Sequence, residues 1–326
     1  MRTAEVGIVY YNGVLQSAAS GIADILEVAN RIARARDEGA PQIRVTHLAA
    51  DDNGCVVPVG LDKSEPRQGD ILYDVVVLPP SLEAPPNLEA PTLLKRWLRD
   101  RHNTGSSLAS VCVSVFLLGD TGVLDGRTVT THWVYADAFR DRFPNVQLDT
   151  DRLLIDGGDI ISAGGLMAWT DLALRLVDRF LGPVVMAETS RMMLIDPPGR
   201  EQRYYSSFVP RMTHGDASIL KAQHFIQQQE GKEVRLSILA ERAGLEERTF
   251  LRRFQKATGF TALEYAQRLR ISKAQELLQF GKLSIERIAW EVGYSDPGSF
   301  RKVFTRIVGL PPLDYRARFK AEASRQ

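Results

Sequence analysis

VRLSILAERAGLEERTFLRRFQKATG (residues 234–259) and LSIERIAWEVGYSDPGSFRKVFTRIVG (residues 283–309) are one pattern written twice. Val234, Leu236, Leu239, Ala240, Ala243, Gly244 and Leu245 answer to Leu283, Ile285, Ile288, Ala289, Val292, Gly293 and Tyr294. Phe250, Phe254 and Gly259 answer to Phe300, Phe304 and Gly309. The Ala-to-Gly interval is four in both copies, Phe-to-Phe is four and Phe-to-Gly is five; only the turn differs, by one residue. An apolar pattern repeated after about fifty residues marks a duplicated supersecondary unit, here two helices around a short turn containing glycine.

In each copy the first helix is short and amphipathic, with apolar residues at i, i+3 and i+4. Ala240 and Ala289 are small enough to let the second helix approach, and Gly244 and Gly293 suit the left-handed cap that ends the first. Ser284 is placed to cap the helix starting at Ile285, and Ser295 or Asp296 precedes Pro297, a cap followed by proline at the first helical position. Phe250, Phe254, Phe300 and Phe304 share one face and are expected in the core. The residues between them point outward: Arg248, Thr249, Leu251, Arg252 and Arg253 in the first copy, Gly298, Ser299, Arg301 and Lys302 in the second. Arg and Lys donate to the guanine acceptors of the DNA major groove, and Leu251 suits a thymine methyl. Residues 262–279 read as one connecting helix with Leu263, Ala266, Leu269, Ile271, Ala274, Leu277 and Leu278 buried. Such a connector would hold the two outward faces about 34 Å apart, one turn of DNA.

Charge separates along the chain in the same sense. Residues 216–326 hold 20 Lys+Arg against 13 Asp+Glu, which leaves 21 against 27 of the chain's 41 and 40 for residues 1–215. A near-neutral total therefore joins a basic C-terminal part to an acidic front part, the asymmetry expected of a nucleic-acid module attached to something else.

Residues 216–320 resemble the AraC/XylS family of transcription regulators. The resemblance rests on Ile288-Ala289, Gly293-Tyr294, Phe300, Phe304, Gly309 and Pro311-Pro312, ending at Tyr315-Arg316. It implies base reading at Arg248, Leu251 and Arg252 and from Pro297 to Lys302, with double-stranded promoter DNA and RNA polymerase as partners. Pro297 and Gly298 stand where polar residues are common in the family. The second reading helix is therefore expected to contribute more backbone contact than base discrimination.

A chain of 326 residues accommodates two domains, expected at 1–182 and 216–320, with a linker at 183–215 and a tail at 321–326. The linker is expected to expose Arg191, Arg200, Arg203 and Arg211. No stretch has the length and apolarity of a secretory or membrane-spanning segment. Cys55 and Cys112 form no disulfide framework, so a cytoplasmic protein with reduced thiols is the expectation. His47, His102, His132, His214 and His224 lack the spacing of a metal site. Gly157-Gly158 and Gly164-Gly165 lack the spacing of a phosphate loop. Neither metal nor cofactor is expected.

Residues 1–182 alternate apolar β-rich runs with helical patterns. Strands are expected at 6–10, 43–49, 75–78, 107–111, 128–131, 152–155 and 160–163, and helices at 18–33, 92–101, 113–118 and 167–180. This alternation implies an α/β domain with a mainly parallel sheet covered by helices on both faces, in front of an all-α domain with two helix-turn-helix units. Ligands in such sheets bind at the carboxyl ends of the strands. Cys112 lies there, where an apolar strand meets a helix, flanked by Ser110 and Ser114. A nucleophile at a tight strand-to-helix turn needs small neighbours, and a helix N-terminus favours the thiolate. His132 and Trp133 follow about twenty residues later.

This arrangement, together with Asp156-Gly157-Gly158, Ser162-Ala163-Gly164-Gly165 and Asp171, resembles the PfpI superfamily, the class I glutamine-amidotransferase-like fold. The two halves together resemble the GlxA-type AraC regulators, which join that fold to the duplicated reader. The superfamily's enzymes carry an acid near the start of the first helix, where this chain has Ser17, Ala18 and Ala19. They also carry a glycine pair after the third strand, where this chain has Pro79-Pro80-Ser81, and proline has no N–H to offer an oxyanion. The expected role is a non-catalytic metabolite pocket at Cys112, His132 and Trp133, walled by Tyr11, Asn12, Gly13, Val14, Ser17, Ser81 and Leu82. The resemblance implies an amino acid or quaternary amine as effector, and a homodimer. Two alternatives stay open: an amidase, hydratase or peptidase using Cys112 and His132, and redox sensing through Cys112 oxidation.

Overall fold

The computed structural model describes residues 3–59, 71–83, 90–232 and 234–320. These divide into two compact units that meet in sequence at Gln202 and Arg203. The expected tail at 321–326 lies outside the described residues.

The first unit begins β1 (Thr3–Tyr10), α1 (Gln16–Arg36), β2 (Gln42–Ala50), β3 (Val56–Val59) and β4 (Val75–Leu78). It continues with α2 (Thr92–Asn103), β5 (Ser107–Val111), a 3-10 turn at Cys112–Ser114, α3 (Val115–Gly119) and β6 (Thr128–Val129). The rest is α4 (Ala136–Arg142), β7 (Gln147–Leu148), β8 (Leu154–Asp156), β9 (Ile160–Ala163), α5 (Trp169–Leu181) and α6 (Pro183–Met193). β4 and β5 are buried along their whole length, as strands covered on both faces must be. The sheet order is β3-β2-β1-β4-β5-β9-β8. It is parallel from β2 to β9, with antiparallel β3 and β8 at the edges. From β1 the chain steps one way to β2, then returns on the other side through β4. The crevice at the carboxyl ends of β1 and β4 is thus the switch point where such sheets take ligands.

Two expectations change here. The strand expected at 128–131 stops at Val129 and pairs with β7 in a separate two-stranded sheet. Thr130 and Thr131 are held differently: Thr130 N–H donates to Ser162 Oγ, Thr130 Oγ1 to Arg152 O and Thr131 Oγ1 to Cys112 O, each at 2.9 Å. Residues 183–202, expected as linker, belong to the first unit. α6 packs on α1 and α5, Arg36 pairs with Glu188, and Arg200, expected exposed, is half-buried in an ion pair with the buried Asp171.

The second unit comprises α7 (Ala217–Gln228), α8 (Leu236–Ala243), α9 (Glu247–Thr258), α10 (Ala262–Phe280), α11 (Ile285–Glu291), α12 (Pro297–Val308) and α13 (Pro312–Phe319). The expected caps are present. Ser284 Oγ accepts from Arg287 N–H, Asp296 caps α12 with Pro297 at its first position, and Gly244 ends α8 in the left-handed region. Two cores form. One collects Phe250, Phe254 and Tyr265 between α7, α8, α9 and the start of α10; the other collects Phe300, Phe304 and Tyr315 between the end of α10 and α11–α13. Leu263, expected in the buried stripe of α10, is exposed, and Ala262 and Tyr265 join Ala266 in the core instead.

Residues 203–215 are also ordered parts of this unit. The Tyr205 and Phe319 rings lie 5.3 Å apart, Gln275 Nε2 donates to Ser206 O at 3.1 Å, and Phe208 meets Tyr265 at 5.1 Å and Phe260 at 5.7 Å. The segment thus crosses from the second core to the first. Phe304 is fully buried, edge-on to Tyr315 at 5.5 Å. Phe304→Ala is expected to cost about 3–5 kcal/mol, read as a lower denaturant midpoint for the helical signal.

Candidate ligand pocket and nucleic-acid interface

The chain leaves β5 at Cys112 with φ +59, a left-handed conformation that costs a side-chain-bearing residue about 1–3 kcal/mol and persists only where its surroundings impose it. They do. Ser114 Oγ accepts from Val111 N–H at 2.8 Å, and its own proton lies between Leu78 O at 2.8 Å and Val111 O at 2.9 Å. Thr131 Oγ1 pins the carbonyl of Cys112 itself. The Tyr11 hydroxyl donates to Pro79 O, which brings the exit of β1 under the same turn.

The electrostatics of this turn are neutral. Burial pushes the Cys112 thiol up to about 12, against a smaller lowering by the Val113 N–H. The Tyr11 phenol is raised well above its ordinary value, first by burial and then by its proximity to Cys112. Burial lowers His132 below the ordinary histidine value. Val134 N–H donates to His132 Nδ1 at 3.2 Å; with Nδ1 an acceptor, the neutral ring carries its proton on Nε2. A thiolate–imidazolium pair requires the opposite shifts. The group beside the thiol is Tyr11, although the sequence pointed to residues 17–19; Ala18 and Ala19 are buried and Ser17 is exposed.

Two loops line the switch point. Ser81 Oγ donates to Gly13 O at 2.7 Å, Leu82 N–H to the same oxygen at 3.3 Å, and Leu15 N–H to Pro80 O at 2.8 Å. The carbonyls of Pro79 and Pro80 therefore serve as acceptors. Asn12 and Leu82 are exposed, Gly13 is half-buried and Ser81 is buried. His132 and Trp133 sit on a third loop, half-buried, with ring centres 5.6 Å apart; Thr131 ties that loop to the Cys112 turn.

Gln202 went unread in the sequence, because nothing distinguishes it within an Arg- and Pro-rich stretch. It is 2 % exposed. Its Nε2 donates to Thr131 O at 2.9 Å and Thr150 O at 3.0 Å, and its Oε1 accepts from Trp133 N–H at 3.0 Å. A methyl group on Gly164 would lie 2.5 Å from that Nε2, so only glycine admits the amide.

In the second unit, Arg248, Leu251 and Arg252 are exposed on α9 and Thr249 is half-buried. Leu251 exposes 44 % of its surface, unusual for a helix leucine with an apolar face available. Arg253, expected to point outward with them, instead grips Asp216, the cap of α7, through Nε at 2.9 Å and Nη2 at 2.7 Å. On α12, Ser299, Arg301 and Lys302 are exposed, and Pro297 and Gly298 are half-buried. Asp296 accepts from the N–H of Gly298 at 3.1 Å and from the N–H and hydroxyl of Ser299, both at 2.7 Å. Arg301 pairs with Glu286 of α11. The described residues contain no cluster of three potential metal ligands and no helix long and apolar enough to cross a membrane.

These two sites match two known kinds of domain. A DJ-1/PfpI family model matches residues 57–179, and a helix-turn-helix domain model matches residues 239–318. The class is therefore a DNA-binding transcription regulator with an α/β front domain. The chain joins these two domains in the manner of the AraC-type regulators that carry a PfpI-like N-terminal domain. The transcriptional regulator CdhR of Pseudomonas aeruginosa is 27 % identical over 289 residues, 88 % of this chain and 78 % of its own. The regulator GlxA of Rhizobium meliloti is 28 % identical over 224 residues, 68 % of each chain. GbdR of Pseudomonas aeruginosa is 28 % identical over 223 residues, 68 % of this chain and 60 % of its own.

The neutral thiol gives a direct test. Iodoacetamide is expected to modify exposed Cys55 first. Cys112 is expected to react slowly at neutral pH, at a rate that rises about tenfold per pH unit well past pH 9 because the thiolate is the nucleophile. Mass spectrometry of the two peptides over time measures both.

Proposed function

We propose that the front domain is a non-catalytic sensor in which a small metabolite binds at the carboxyl ends of β1, β4 and β5, among Cys112, His132, Trp133, Asn12, Gly13, Ser17, Ser81 and Leu82. The observation that carries this reading is the turn itself: the buried Cys112 thiol is raised by burial, and the group shown beside it is the Tyr11 phenol rather than a base. The shape of a cysteine elbow is kept while the charges that drive acyl chemistry are not. His132 Nε2–H offers a donor for a ligand carboxylate, and Trp133 an aromatic ring for a cationic group. An amino acid or a quaternary ammonium acid combines both, in keeping with the family resemblance. The bound state is passed on through Gln202, which braces the Trp133 loop and directly precedes the segment 203–215 in the chain.

The front domain also pairs two copies of the chain, so that two readers reach repeated half-sites on promoter DNA and act on RNA polymerase. Within each reader, Arg248, Thr249, Leu251 and Arg252 enter one major-groove segment. Pro297, Gly298, Ser299, Arg301 and Lys302 enter the next. The enzyme reading keeps one feature in its favour, the left-handed Cys112, and fast alkylation of that thiol at neutral pH would restore it.

Calorimetry with a panel of amino acids and quaternary amines is expected to find a ligand whose binding is weakened by Cys112→Ala and by His132→Ala. Binding indifferent to both would move the site elsewhere. Arg252→Ala is expected to lose about 1–3 kcal/mol of DNA binding and to relax preference at one base pair, whereas Arg253→Ala lowers the unfolding midpoint of the helical unit by freeing Asp216. A loss from Arg252→Ala that is equal on every sequence would make Arg252 a phosphate contact instead.

A further inference from the structure

The second unit contains two cores and a single helix shared by both. Along α10, Ala266 and Leu269 pack with the first core, and Ile271 and Ala274 with the second. Arg270 lies at the division. Its Nε donates to Gly231 O at 2.6 Å and its Nη2 to Lys232 O at 3.2 Å, both between α7 and α8. Its Nη1 donates to Gly293 O at 3.3 Å, in the turn between α11 and α12. The guanidinium also lies 5.5 Å from the centre of the Tyr294 ring. The two turns touch directly: a methyl group on Gly293, whose φ is +85, would lie 2.9 Å from Lys232 Cγ.

We propose that Arg270 is a positioning residue for DNA recognition: it clamps the α7–α8 turn to the α11–α12 turn, and so fixes the separation and angle of α9 and α12. The chemistry asks for arginine. A planar fork with donors on both edges satisfies carbonyls in two directions at once, whereas a lysine ammonium is a compact point charge on a flexible stem. Gly293 lies four residues before Pro297, where α12 starts, so the bond is made close to the reading end of that helix. This inference rests on the assignment of α9 and α12 as the reading helices.

The test uses the full chain without DNA first. With Cys55→Ser, spin labels at Lys256→Cys and Lys302→Cys report the distance between α9 and α12; Cys112 is buried and stays unlabelled. The parent is expected to give one narrow distance distribution. Arg270→Ala and Arg270→Lys are expected to broaden it with helical content unchanged. An unchanged distribution overturns the clamp. The second measurement uses a duplex that the unlabelled wild-type chain selects from a randomised pool, and versions with either protected segment scrambled. Arg270→Lys, which keeps the charge, is expected to lose about a hundred-fold on the intact duplex, the lower end of the roughly 10²–10⁴-fold by which joining two weak sites raises affinity, and nothing on the scrambled ones. One base pair inserted between the segments should weaken the wild type more than the variant. An equal loss on all duplexes makes Arg270 a general stabiliser and overturns its positioning role. Labels that respond while the wild type protects one segment alone would sink the two-segment reading and leave the clamp in place.

Discussion

At Cys112 the main chain turns out of the central strand β5 in a conformation that its side chain disfavours, and one hydroxyl makes this tolerable. Ser114 Oγ closes the turn on Val111 and reaches across to the carbonyl end of β4 at Leu78. Tyr11 binds the next carbonyl, Pro79, and Pro80 holds Leu15 at the head of α1. The exits of β1, β4 and β5 are thus tied together by two hydroxyls, those of Ser114 and Tyr11. The loops of the candidate pocket inherit their positions from that tie. Removing the Ser114 hydroxyl would leave buried amide and carbonyl groups unsatisfied, a penalty of about 1–3 kcal/mol for each group, in the one place where the backbone is already strained.

Much of this was legible in the amino acids. Val75–Leu78 and Ser107–Val111 have the bounds that their apolar runs announced, because a doubly covered strand leaves little room for another reading. The caps at Ser284 and Asp296 were readable because a hydroxyl or carboxylate before a helical pattern has few other uses. What stayed hidden depends on contacts distant in sequence. Val56–Val59 carries Pro58 and is tolerated as an edge strand. Thr130 and Thr131 have strand-like chemistry, yet both hydroxyls and the Thr130 amide are taken by Arg152, Cys112 and Ser162. Tyr11 was expected in the pocket wall, but its hydrogen bond to the Pro79 carbonyl was not, and Gln202 lies ninety residues past Cys112. No local pattern reports either.

The duplicated pairs of helices are alike in their cores and unlike at their surfaces. Phe250 and Phe254 are placed as Phe300 and Phe304 are, fully buried. Outside, the first copy leaves Leu251 and Arg252 exposed. In the second copy Asp296 holds Ser299 and Glu286 holds Arg301. A side chain already ion-paired must exchange partners before it contacts a base. On α12, two of the proposed reading side chains, Ser299 and Arg301, are thus already paired within the unit.

The course of residues 203–215 bears on how the molecule can be taken apart. A helix begins beyond Asp216, and the sequence invites a cut there. Such a fragment would lose Phe208 from against Phe260 and Tyr265, Tyr205 from against Phe319, and the carbonyl that satisfies Gln275. Freshly uncovered aromatic surface of that kind promotes aggregation. A recombinant piece starting at Arg203 keeps its own wrapping and is the better-behaved species for crystallisation or NMR.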